Sequence, residues 1–372
     1  MPEFKVYFCD EYVYIGARAY RSNETLTACL GLDEREVNHC LVRLWRLAPS
    51  ASLNAVNAEQ LRSFLSCLQQ THEVFLRLNA LAASLPPIRD GALLPPAERL
   101  LTGILDRLCS DGGAANVEAD DLFYFTDFYF LRIASRLTRL SGGEAACELD
   151  LLNSGIAGLF DLYISLAGDI LQARRVYSEF LDKYIHEKRS FPGGGELADC
   201  LSRYRRDSGQ SVGREQLPDG FRGKISYEPF TDENGQPRLA LSCSFERLRD
   251  FLYVDFFRGL ERSHLPRHCD NCGRYFLLAG GKYSCYCDLP LPGDPEKTCR
   301  GIGAKKRYGS KCRNDPVWLT YNRAYKAHYA RCMRGKMSEE DFERWSRYAA
   351  SLRAQASAGE ISPEQYELLI RE

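Results

Sequence analysis

Apolar and polar residues alternate at the start of the chain. FKVYFCDEYVYIGA sets Val, Tyr, Phe and Ile around an Asp-Glu pair and predicts a short hairpin. The period then lengthens. AEQLRSFLSCLQQTHEVFLRLNALAASL places Leu61, Phe64, Leu65, Leu68, Phe75 and Leu76 near i, i+3, i+4, i+7 spacing before Pro86 and Pro87 stop the pattern. Similar helices are expected at about Ala97 to Cys109, Ala119 to Leu140, Ala145 to Leu171 and Arg174 to Lys188, divided by SDGGAAN, SGGEAA and FPGGG. At Gly223 alternation returns. KISYEPF and RLALSCSF flank TDENGQP, so a hairpin turning near Asn234 and Gly235 is expected, followed by a helix over RLRDFLYVDFFRGL with Ser244 as its cap. The last sixty residues carry three helix starts, at Asp315-Pro316, Ser338 and Ser362, with Gly335 closing the first helix.

These patterns predict a mainly α chain with small β elements. Residues 1–195 are expected to form a helical domain with an N-terminal hairpin, 196–262 a linker, β-hairpin and connecting helix, 263–313 a zinc-binding basic module of zinc-knuckle, treble-clef-like fold, and 314–372 C-terminal helices. A length of 372 residues suits two or three domains. With 45% hydrophobic and 27% charged residues, a disordered or collagen-like chain is excluded. The N-terminal twenty residues lack the basic start and uninterrupted apolar run of a secretory signal. The most apolar stretch, LLNSGIAGLFDLYISLAGDIL from Leu151, contains Asp161 and Asp169 and reads as a buried amphipathic helix, so no membrane partner is expected. Fifteen cysteines without an export signal point to a reducing compartment, the cytoplasm.

Four of those cysteines fall within nineteen residues, in RHCDNCGRYFLLAGGKYSCYCD from Arg267. Cys269 and Cys272 have C-x2-C spacing followed by Gly273, the pattern of a zinc knuckle, whose tight turn aims two thiolates at one ion. A closed tetrahedral Zn2+ site needs two more soft ligands. Cys287 and Cys299 are the first choice, with Cys285, His268 and Cys312 as substitutes. The segment DLPLPGDPEKT between Cys287 and Cys299 has three prolines and reads as an extended loop. A small subdomain rich in Gly, Pro and charge has little apolar core, and a metal would serve in its place. Cys9, Cys29, Cys40, Cys67, Cys109, Cys147, Cys200 and Cys243 are scattered singly and read as core residues.

CDNCGRYFLL, then YCD, then TCRGIGAKKR resembles, from about Lys224 to the C-terminus, a bacterial family of uncharacterised proteins with a C-terminal cysteine-rich module. Over Cys269 to Arg307 the chain is more distantly similar to the CGNR zinc fingers of bacterial regulators. That resemblance implies a zinc site whose last ligand, Cys299, opens a basic helix with Lys305, Lys306 and Arg307. The Gly-Asn-Arg of the finger is replaced here by Arg300-Gly301-Ile302, and the preceding loop is longer. Zinc binding is therefore the better supported implication, and DNA binding the weaker.

Charge sharpens the picture. Residues 262–336 contain 16 Lys and Arg against 5 Asp and Glu, a formal +11, whereas the whole chain is at −1. A basic module on an acidic remainder suits DNA or RNA. Arg300, Lys305, Lys306, Arg307, Lys311 and Arg313 are the densest candidates, with Arg323 and Lys326 on a helix whose opposite side carries Trp318, Tyr321, Tyr325, Tyr329 and Cys332. An acidic protein partner is the alternative, and Glu118, Asp120 and Asp121 could neutralise the same cations from within the chain. No catalysis is expected: the six histidines, His264, His268 and His328 among them, show no Asp-His pair after the knuckle, and there is no phosphate-loop, nucleophile-elbow or H-E-x-x-H motif.

Overall fold

A computed structural model of the chain describes residues 3–53, 57–94, 129–130, 133–136, 139, 142–186, 190–209, 215–232, 234–280, 283–291 and 293–371, without the side chains of 142, 209, 304 and 311–313. The helices expected at Ala97 to Cys109 and Ala119 to Leu140 lie largely outside these residues, as do Cys109, Glu118, Asp120 and Asp121. The fold is mainly α with small sheets. It forms two compact units, one of Met1–His268 with Arg274–Ser284, the other of Cys269–Gly273 with Cys285–Glu372.

In the first unit, β1 (Phe4–Cys9), β2 (Tyr12–Ile15) and β3 (Arg18–Arg21) form a meander. Residues 223–245 supply β4 (Gly223–Thr231) and β5 (Pro237–Phe245), turned at Gly235, whose φ is 76°. β5 pairs antiparallel with β1, so the expected connector hairpin completes one five-stranded sheet in the order β3-β2-β1-β5-β4. One face of that sheet, with Phe4, Val6, Phe8, Val13, Ile15, Cys243 and Phe245, is buried in the core of the unit.

The helices of this unit are α1 (Glu24–Gly31), α2 (Glu34–Leu47), α3 (Ala58–Ala82), the single turn α4 (Pro86–Arg89), α5 (Gly142–Phe180), α6 (Gly194–Gly209) and α7 (Leu248–Glu261). On α3 the expected stripe is buried except for Leu76, which is half-buried while Val74 and Leu78 are fully inside. The two helices expected at Ala145 to Leu171 and Arg174 to Lys188 are one continuous helix, α5, extended by a π-turn at Leu181–Ile185. Gln172 and Ala173 include no breaker, so nothing interrupts the hydrogen-bond ladder. Gly143–Ile185 is long and apolar enough to cross a membrane by length and composition. Its face of Ile156, Phe160, Tyr163, Ala167, Ile170, Tyr177 and Phe180 lies in the core, and Asp161 is exposed.

Asp169 explains how α7 begins. Ser244 is not its cap: that residue is paired within the sheet, opposite Lys5 and Lys224, and the helix starts only at Leu248. The carboxylate at this N-terminus comes from α5 instead. Asp169, 2% exposed, accepts hydrogen bonds from Arg247 Nε, Arg247 Nη2 and the Arg249 backbone N–H. Burial pushes its carboxyl above the ordinary range, and the Arg247 guanidinium opposes that shift. β6 (His264–His268) and β7 (Tyr275–Ala279) complete the unit as an antiparallel pair.

The second unit contains the short hairpin β8 (Pro290–Leu291) and β9 (Asp294–Thr298), then α8 (Cys299–Asn314), α9 (Pro316–Met333), α10 (Glu339–Ser357) and α11 (Pro363–Leu369). The caps stand where the sequence places them. Asp315 accepts from Trp318 N–H, Ser338 from Asp341 N–H, and Ser362 forms a full capping box with Gln365. Gly335 follows α9 with φ at 68°. Val317, Trp345, Ala349, Leu352, Tyr366 and Ile370 form the core of this helical part, and His328 stacks on Trp345 at 3.9 Å.

Candidate metal centre

The C-x2-C-G turn closes through the Gly273 N–H, which donates to Cys269 O at 2.9 Å. Gly273 has φ at 72°, while a Cβ there would meet nothing within 4 Å. The glycine is thus required by the backbone conformation, not by space. A second arm runs alongside. The Asp270 N–H donates to Cys285 O, and two residues later Cys287 arrives beside the turn, its own N–H directed at Cys269 Sγ at 3.4 Å.

DLPLPGDPEKT is not an extended loop. It folds back as the β8–β9 hairpin around Gly293, whose φ is 86°, and so returns the chain to Cys287. Pro290 and Pro295 fit because a two-stranded hairpin leaves half of its backbone donors unneeded. Cys299 is then the first residue of α8, and the next N–H, of Arg300, donates to Cys287 O at 2.9 Å.

The outcome is a group of four thiols, Cys269, Cys272, Cys287 and Cys299, whose sulfur atoms all lie within 4.8 Å of one another. Cys272 and Cys287 are 3.7 Å apart. A tetrahedron of metal–sulfur bonds near 2.3 Å has edges of about 3.8 Å, so the spacing suits one shared ion. A disulfide needs about 2.05 Å, and the described cysteines are free thiols.

Three members are buried and Cys272 is half-buried. Burial pushes the Cys287 thiol far above its ordinary value and raises Cys299 as well. With burial opposing their charged forms, Cys287 and Cys299 ionise only against a cation. Two features favour the charged form of Cys299 once a cation is present: the Asn271 side-chain amide donates to its Sγ at 3.2 Å, and the residue sits at the positive end of a helix. The four cysteines could hold a metal ion with all four positions filled by sulfur, the arrangement of a structural rather than a catalytic site.

The remaining candidates stand elsewhere. Cys285 is outside the thiol group. His268 is on β6 in the first unit, its ring 3.8 Å from that of Tyr275 at a tilt of 38° and its Nδ1 3.9 Å from Asp182. The Cys312 side chain lies outside the described residues. His264 is buried, with Nε2 3.6 Å from Glu11, and His328 is taken up in packing against Trp345. Cys29, Cys40, Cys67 and Cys243 are buried singly, as expected, whereas Cys147 is exposed.

Of the basic candidates, Arg300, Lys305, Lys306, Arg307, Arg323 and Lys326 are all exposed, and the side chains of Lys311 and Arg313 are outside the described residues. Arg300 pairs with Asp288 at 2.9 Å, and Lys306 donates to Asn271 Oδ1 at 3.2 Å. Lys326 lies over the Tyr308 ring at 5.0 Å. Asn271 thus joins the Cys299 sulfur to Lys306, a role hidden in the variable positions of the knuckle. On α9, Tyr321 and Tyr325 are half-buried as expected, but Tyr329 is 49% exposed.

Residues 221–369 match the model of a family of unknown function, DUF6076. The matched segment begins just before β4 and ends at the last residue of α11, so it takes in every member of the thiol group. Its extent agrees with the likeness to uncharacterised proteins expected from Lys224 onward, and the comparison lends no support to a CGNR finger. No curated protein and no solved structure matches the chain.

Proposed function

We propose that the four thiolates hold one Zn2+ and that the matched segment uses the exposed side of α8 to bind nucleic acid, in a regulatory or mobile-element setting in the bacterial cytoplasm. One observation carries this reading. Cys299 is both a member of the thiol group and the first residue of the helix that bears Arg300, Lys305, Lys306 and Arg307. An ion on Cys299 would therefore fix where those cations stand. Four sulfur donors in a closed set favour zinc among common cellular metals, and free thiols throughout the described cysteines suit a reducing compartment. In this reading the chain binds and does not catalyse.

The second reading is a protein-interaction module with a purely structural zinc. It is favoured by the pairing of Arg300 with Asp288 and the tethering of Lys306 to Asn271, which leave fewer cations for phosphate. Salt dependence separates the two. With four phosphate contacts, affinity for duplex DNA falls about 100-fold between roughly 50 and 200 mM salt. Lys305→Ala with Lys306→Ala and Arg307→Ala should weaken binding and flatten the log–log slope by about two to three, with zinc content unchanged. Absence of binding to duplex DNA, single-stranded DNA and RNA by zinc-loaded protein in low salt, together with an acidic protein complex disrupted by the same substitutions, would establish the second reading.

A further inference from the structure

The five-stranded sheet has β3 at one edge and β4 at the other, and none of the nine residues of β4 is buried. Its odd-numbered positions continue the core face of the sheet, since Ile225 pairs with Cys243 and Cys243 with Val6. Cys243 and Val6 are fully buried, yet Ile225 is 56% exposed, Tyr227 71% and the adjacent Leu239 71%. The apolar face therefore extends past the helices that cover the rest of it.

The backbone phase of this edge is fixed at the hairpin turn. The Asp232 N–H donates to Gln236 O at 3.0 Å, continuing the register in which Thr231 faces Pro237. Bonded and non-bonded pairs alternate, so even-numbered residues of β4 bond to β5, and Gly223, Ile225 and Tyr227 turn their N–H and C=O groups off the edge. Pro229 and Pro237, which have no N–H, fall on the non-bonded positions, as this phase requires.

We infer that β4 pairs antiparallel with β4 of a second copy of the chain, about a two-fold axis at Ser226. In that register Ile225 lies opposite Tyr227 of the second copy, both offering outward backbone groups. Lys224 lies opposite Glu228 of the second copy, and Glu228 opposite its Lys224. Registers centred half a residue away set an outward residue against an inward one and cannot bond. Those centred on Ile225 or Tyr227 place Lys224 opposite Ser226 or Phe230 and forfeit the charge match. Edge lysines and prolines usually keep strands apart. Here a residue of opposite charge four positions from Lys224 makes the strand complementary to itself, and Pro229 falls opposite Gly223 at each end, outside the central bonds. Glu3 and Lys5, now bonded to Lys224 and Glu228, lie on the same outer face and continue the alternation of charge.

The metal-loaded chain at micromolar concentration should scatter light with twice the 42.3 kDa of one chain. Lys224→Glu and Glu228→Lys each convert both cross-strand pairs from attraction to repulsion, and each should raise the dimer dissociation constant about tenfold or more. Mixing the two variants restores opposite charges at both positions, so a heterodimer should form from two preparations that are each monomeric alone. Its recovery also proves that both variants are folded. A native chain that stays monomeric at high concentration would overturn the inference, as would a dimer indifferent to Lys224→Glu, or a mixture that fails to associate.

Discussion

Two glycines in the first turns of α8 give opposite predictions for the same substitution. A Cβ on the buried Gly303 would stand 2.4, 2.5 and 2.8 Å from three atoms of the Tyr286 ring, whereas a Cβ on Gly301 would meet only Thr298 Oγ1, at 3.5 Å. Carbon atoms prefer separations near 3.5 to 4.0 Å, so the ring must retreat by roughly 1 Å to admit the methyl group. Overpacking of that kind costs about 1 to 3 kcal/mol, against a helix-propensity gain of about 1 kcal/mol from Gly to Ala. Gly303→Ala should thus be a net loss of up to about 2 kcal/mol, while Gly301→Ala retains most of the propensity gain.

Tyr286 is the residue before Cys287, so its displacement acts on the thiol group. The assay is the rate at which bound metal passes to an excess of a coloured chelator, with hydrogen exchange along α8 as the stability measure. Gly303→Ala should release metal faster, by up to about 30-fold, the factor that about 2 kcal/mol represents. Gly301→Ala should release it no faster than the native chain. If Gly303→Ala holds metal as long as Gly301→Ala does, the ring contact does not position Cys287 and the reasoning fails.

Two further predictions concern the thiol group and the first unit. Cys272→Ser removes one of four ligands and should lower bound metal from about one ion per chain to a trace by elemental analysis, while far-UV circular dichroism retains most of its helical signal; full metal content in that variant would mean that another residue completes the site. Asp255, fully buried with one carboxylate oxygen accepting from the Asn23 N–H at 2.9 Å, has its carboxyl pushed up by burial to about 7. A raised value means that its contribution to stability is complete below the ordinary carboxylate range and is lost as pH rises through about 7. Relative to Asp255→Asn, the native chain should lose on the order of 4 kcal/mol between pH 4 and pH 8, read from the slowest-exchanging amides of β1 and β5; parallel pH curves would contradict it.

Local signals in the sequence proved sufficient where the physics is local. Asp315, Ser338 and Ser362 cap the helices they precede because a short side-chain oxygen needs only the next turn's N–H groups. Ser244 misled for the complementary reason. Its strand pairs on both sides, and the N-terminus of α7 takes its carboxylate from Asp169, about eighty residues away, a partnership that no periodicity reports. The joining of β1 to β5 is hidden in the same way. Each strand alternates by itself, and only the shared burial of Val6 and Cys243 makes them one sheet.

At the thiol group, the spacing of Cys269 and Cys272 announces a turn, and a turn is again a local object. The distant pair was less legible, because eleven residues with three prolines read equally as a loop that leads Cys299 away. Gly293 decides the matter. Its positive φ reverses the chain and brings Cys299 back as the first residue of a helix, where the helix dipole and the Asn271 amide both favour a thiolate. Asn271 itself had no signal, being one of two arbitrary residues inside C-x2-C. Yet its amide faces the sulfur while its carbonyl oxygen accepts from Lys306, so the residue between Cys269 and Cys272 joins the thiol group to the charged helix. A change at Asn271 would therefore alter both the ion's hold on Cys299 and the position of Lys306, although the residue neither ligates metal nor carries charge.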